Sequence, residues 1–137
     1  MKLRAVKKND DARARIRELF RQADETKAAR VAGEERIEQL ERKRADLEAS
    51  VPGLEKAVKD AEYDWRLSQA RQEVGEAAAE DVATAEKAID GATARLAEAK
   101  GKAEAMESLL AEAQNKLPSL KLAEGTALRR PWEAISE

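Results

Sequence analysis

Apolar residues fall three and four apart along most of this chain, the spacing that lines one face of an α-helix. The pattern is cleanest in the second half. Val82, Ala85, Ile89, Ala92, Leu96, Ala99, Ala103, Met106, Leu110, Ala113 and Leu117 follow one another by three and four without a miss. The larger residues fall mainly at one core position and Ala at the other, which lets two helices approach closely. Gly75, Gly91 and Gly101 interrupt this half, each costing about 1 kcal/mol relative to Ala. Such a helix needs a partner along most of its length.

The first half carries a second stripe. Asn9, Asp10 and Asp11 offer a cap and early-turn acids, the expected start of a helix. With Ile37, Arg44 and Val51 at position a of a heptad, Leu40 and Leu47 occupy d, and the same frame meets Ile16 and Leu19 upstream. Between them it meets Ala23, Thr26, Arg30 and Gly33, while Phe20 and Val31 lie off the stripe; a register shift is expected near 24–34. Arg30 and Arg44 on a seam read either as snorkelling side chains or as polar residues that set register. Ser50-Val51-Pro52-Gly53 then carries turn chemistry, because Pro disfavours helix in the residue before it and Gly permits a tight reversal. A reversal here predicts an antiparallel hairpin. A kinked continuous helix is the alternative, since the heptad frame runs through in phase. Downstream, Leu67, Ala70, Val74 and Ala78 depart from the stripe of Leu54, Val58, Ala61 and Trp65 as a stutter beside Tyr63, with a bend expected around 75–80.

Pro118 closes the regular pattern. The residues after it read as a short extended or weakly helical tail, in which Pro131 suits a first helical position and Trp132 and Ile135 share a face. Arg129, Arg130, Trp132 and Ile135 are the candidate partner-docking residues. The predicted fold is therefore all-α: an elongated antiparallel helical hairpin or coiled coil with tails. Residues 1–9 form a basic arm, helices span about 10–49 and 54–117, the turn is 50–53 around Pro52 and Gly53, and 118–137 is a docking tail. The alanine-rich second half resembles, as a packing mode, the closely spaced antiparallel arrangement called an Alacoil.

Composition agrees with helices and narrows the chemistry. The chain has 137 residues, 39% of them charged and 3% aromatic, a balance typical of long helices and coiled coils. Cysteine and histidine are both missing, which removes disulfides, thiolate chemistry and imidazole acid–base or metal chemistry. A net charge of −2 hides a gradient: residues 1–50 carry 14 positive and 11 negative groups, residues 73–137 carry 8 and 13. Lys2, Arg4, Lys7, Lys8, Arg13, Arg15 and Arg17 crowd the start. In a hairpin turning at 50–53, residues 10–21 would lie near 83–94, facing Glu86 and Asp90.

No phosphate-binding loop, zincin helix or calcium loop is present, and the carboxylates mostly fall on polar helix faces. The expectation is a protein without enzymatic activity, cofactor, metal or small-molecule substrate. Its expected partners are other proteins and copies of itself. The sequence has neither the apolar run of a membrane span nor that of a secretory signal, so a cytoplasmic or virus-particle location is expected. As a small, cysteine-free helical chain it is similar to scaffolding, collar or capsid-associated proteins of tailed bacteriophages, which implies a virion or scaffolding-type component. A cytoplasmic coiled-coil adaptor or chaperone-like binder is the second reading. Nucleic-acid association through the basic N-terminus is the third, although that arm lacks the aromatic residues that stack on single strands.

Overall fold

The computed structural model describes residues 2–136, with side chains from residue 8 onward. The basic side chains of Lys2, Arg4 and Lys7 lie outside the described residues. Two helices, α1 (Lys2–Glu73) and α2 (Ala79–Ser136), pack against each other as an all-α hairpin. The chain divides into two units. Unit 1 joins residues 1–39 to 110–137, and unit 2 spans 40–109.

The reversal lies at residues 74–78, not at 50–53. Pro52 and Gly53 sit inside α1 on its exposed side. Proline inside a helix costs about 3 kcal/mol through its missing N–H and its clash with the preceding turn. Here the stripe offsets that cost: Val51, Leu54 and Val58 remain half-buried in phase with Leu47. The actual turn is built by Gly75, whose φ of 80° lies in the left-handed region. The Gly75 N–H donates to the Gln72 carbonyl at 3.1 Å and the Glu76 N–H to the Arg71 carbonyl at 2.8 Å, the two bonds of a Schellman helix stop. Asp81 then opens α2 by accepting from the Ala78 N–H at 3.0 Å, the reciprocal half of a capping box. Glu80 and Asp81 supply first-turn acids.

The expected helix ends also change. α1 begins at Lys2 rather than near 10, and α2 continues through Pro118 and Pro131 to Ser136. The tail, expected to be extended or weakly helical, is thus part of one continuous helix. Its positions Leu120, Glu124, Ala127, Pro131 and Ala134 prolong the stripe by three and four, each buried or half-buried.

Within unit 1, the stripe on α1 runs Ile16, Leu19, Ala23, Thr26, Arg30, Gly33 and Ile37, all buried or half-buried. No register shift occurs near 24–34. A Cβ on Gly33 would come within 2.8 Å of Leu120 Cδ1, so the missing side chain makes room for the facing leucine. Within unit 2 the stripe continues at Leu40, Arg44, Leu47, Val51, Leu54, Val58, Ala61, Trp65 and Ser68. On α2 it comprises Val82, Ala85, Ile89, Ala92, Leu96, Ala99, Ala103 and Met106. Among the described residues, the buried apolar set is Ala23, Leu40, Ala92, Ala99, Leu110, Ala127 and Pro131. Alanine dominates because each helix meets its partner along a narrow line.

Candidate protein-docking interface

Ile16, Leu19, Ile37, Leu47, Val82, Ala85, Ile89, Leu96 and Leu117 are half-buried, and Leu40, Ala92, Ala99 and Leu110 are buried. These side chains serve the hairpin itself and leave little for another molecule. Any surface that receives a partner must come from what the seam leaves outside.

Polar residues on the seam are resolved by pairing. The Arg30 guanidinium donates through Nε to Glu124, on the facing helix, and at 2.9 Å to Glu34 one turn along. The hydrogen bond to Glu124 is the main reason its pKa is raised. Such a cross-helix pair between single seam positions ties Arg30 to one register. Arg44 approaches Glu48 on its own helix at 3.8 Å, and among the described residues its buried Nε finds no hydrogen-bond acceptor. In unit 2, Lys100 approaches Glu55 across the helices at 3.9 Å. On the outer face of α1, Arg21 bonds both Glu18 and Glu25, and the bond to Arg21 holds the Glu18 carboxyl below its usual range.

Beside the seam of unit 1 lies a second row on α2. Lys121, Gly125, Leu128, Trp132 and Ile135 recur by four and three, so they share one flank. Trp132 is 63% exposed, Ile135 52%, and Leu128 is also exposed. Phe20 on α1 meets the Trp132 ring edge-on, with centroids 6.0 Å apart and planes at 87°, a favoured aromatic geometry. Residues 10–21 therefore face the C-terminal turns of α2, and the expected pairing with Glu86 and Asp90 is not formed. Around Phe20, helical spacing places Arg13, Arg17 and Lys27 against the single acid Asp24, all exposed. The result is an apolar, aromatic surface with a basic rim.

The four expected docking residues do not form one face. Trp132 and Ile135 belong to this row. Arg130 turns to the other side of the seam, where it borders an open groove of about 480 Å³ lined by Gln22, Glu25, Leu122 and Thr126. Arg129 is exposed between the two. Phe20 and Leu128 were not among the candidates; the three–four spacing through Lys121, Gly125, Leu128 and Trp132 was the signal for Leu128, hidden by reading Pro118 as the end of the helix. No sequence signal links Phe20 to Trp132 without knowledge of where the chain turns.

No family model matches the chain, and comparisons with curated proteins and with solved structures found no match. Among the described residues, no helix is long and apolar enough to cross a membrane.

Proposed function

We propose that the chain is a non-enzymatic coiled-coil hairpin that docks onto protein partners, copies of itself included, within a larger assembly. The observation that supports this most is the exposed row Leu128–Trp132–Ile135 joined by Phe20, a contiguous aromatic surface that the hairpin leaves uncovered. Exposed apolar surface of this kind, rimmed by charge, marks interaction sites, and Trp with Arg commonly dominates binding energy. The specific assembly we favour is a scaffolding-type or virion component of a tailed bacteriophage, a class the chain is similar to in size, helix content and lack of cysteine. A cytoplasmic adaptor is the alternative form of the same docking role.

Native mass spectrometry of the complex recovered from the natural source tests the reading. The expected result is a fixed stoichiometry with at least one partner, and loss of the chain from that complex when Trp132→Lys and Ile135→Lys are introduced together. Recovery of the chain as a free monomer, or unchanged incorporation of the variant, would overturn it. Truncation at residue 126 is unsuitable, because Ala127 and Pro131 are buried in the hairpin.

A further inference from the structure

Unit 2 gathers its helix-weakening residues at one level of the hairpin. On α1, Pro52 has no N–H to offer the Glu48 carbonyl, and Gly53 follows it directly. Just before them the Ser50 hydroxyl donates to the Leu47 carbonyl at 2.6 Å, a local bond that competes with the helix ladder. On α2, Gly101 lies across from this segment. At 1.5 Å per residue, Pro52 stands about 32 Å from the end of α1 and Gly101 about 33 Å from the start of α2. Lys100 approaches Glu55 across the helices at 3.9 Å, which fixes the same level. No neighbour lies within 4 Å of where a Cβ would stand on Gly53 or Gly101, so neither glycine makes room for a facing side chain. Gly33, by contrast, seats Leu120.

The α2 side of the core is also at its smallest here. Along the α2 stripe of unit 2, a larger residue and an alanine alternate until Ala99 and Ala103, which follow one another. They stand level with Val51 and Leu54, and each contributes less apolar burial than the Leu96 or Met106 beside it. Elsewhere in unit 2 a break stands alone: Gly91 has neither Pro nor Gly level with it, since α1 carries these only at 33, 52 and 53.

We infer that unit 2 contains a hinge, a level at which the Pro52-Gly53 segment of α1 and the Gly101 segment of α2 open together while the seam on either side stays closed. The inference goes beyond the docking reading and does not depend on it. Helical stretches open locally where few apolar contacts and ladder bonds hold them, and sharp helix bends arise at proline. Two weak stretches packed on each other open as one unit, because each is the other's support. Such a joint lets unit 2 bend onto a partner without unfolding.

Hydrogen exchange of the full chain, read by mass spectrometry where amides report the opening equilibrium, tests this. Amides of 48–57 and 98–104 should exchange tenfold or more faster than those of 59–67 and 88–95 in the same helices. Substitutions that strengthen one helix then show whether the openings are one event. Pro52→Ala with Gly53→Ala should slow 98–104, on the untouched helix, at least threefold relative to 88–95. Gly101→Ala should likewise slow 48–57 relative to 59–67. Reference windows in the same chain remove any general gain in stability. Gly91→Ala is the control and should leave 48–57 unchanged relative to 59–67. Equal exchange in all four windows of the wild type would overturn the inference. So would slowing confined to the helix that carries the substitution, or slowing of 48–57 by Gly91→Ala, which would show general coupling along the seam rather than a hinge.

Discussion

Glycine, which helices usually tolerate poorly, occupies distinct roles at different positions here, and substitution separates them. Gly75 holds the left-handed position of the turn, so Gly75→Ala should destabilise by about 1–2 kcal/mol. Gly53 and Gly101 lie in helix with open space where a Cβ would go, and alanine at either should stabilise by up to about 1 kcal/mol. Gly33→Ala should gain less than these, because the new methyl must displace the tip of Leu120. Urea unfolding of the four variants checks the order; equal gains at 33 and 101 would mean that Gly33 does not seat Leu120. Arg30 and Glu124 make the complementary case. Removing Glu124 alone leaves the half-buried guanidinium with only Glu34, so Glu124→Ala should lower the melting temperature more than the paired change of Arg30→Leu and Glu124→Leu. A pair that merely decorated the surface would show no such difference.

At the scale of the helices, proline separates what the sequence shows from what the fold does. In the structure Pro52 is an interior helical residue with its flanks on the seam, so Pro52→Ala should raise stability by as much as about 3 kcal/mol and increase helical ellipticity. A turn at 50–53 would instead make the same change neutral or harmful. Much of the seam was legible, because burial of a narrow stripe selects residues by spacing, but the register shift expected near 24–34 does not occur and Thr26, Arg30 and Gly33 keep the stripe in phase there. The location of the reversal was not legible. Local turn propensity at Pro52-Gly53 is stronger than at Val74-Gly75-Glu76, but the choice is made by the whole stripe, which only a turn near 76 can close from end to end. The same error displaced the partner of the N-terminal turns, and with it Phe20. The Ala positions of α2 give a further test. Ala99 is buried, so Ala99→Leu should push the helices apart and cost about 1–3 kcal/mol; a higher melting temperature would show that the helices are not closely spaced there. Acid also acts locally. The hydrogen bond from Lys102 holds the Glu98 carboxyl below its usual pKa, so this pair stabilises the fold above the unfolded carboxylate pKa and ceases to do so as pH falls through the lower folded value. Glu98→Gln should therefore lower the melting temperature at neutral pH, with the difference from wild type closing in acid.

For the whole molecule, each of the two units has a core of only a few, mostly small, residues, and much apolar surface stays in water. Among the described residues four of the seven buried apolar positions are alanine, each contributing less transfer free energy than a buried leucine. The net stability of an isolated chain is then a modest remainder after the entropy of ordering 130 helical residues. Association would add to it by mass action. A partner that binds only the folded chain stabilises by RT ln(1 + [L]/Kd), about 2.7 kcal/mol at a hundredfold excess over Kd. For a chain of this size that amounts to a rise of several degrees in melting temperature. If copies join through the face around Trp132, the wild-type melting temperature should climb with protein concentration. The Trp132→Lys and Ile135→Lys chain should melt at one temperature whatever its concentration, because its seam is intact and only its outward face has changed. Circular dichroism melts over a hundredfold range of concentration read this directly. A wild-type melting temperature that ignores concentration would mean that self-association through the row around Trp132 contributes nothing to stability, and the uncovered aromatic surface would then have to be explained by a different partner.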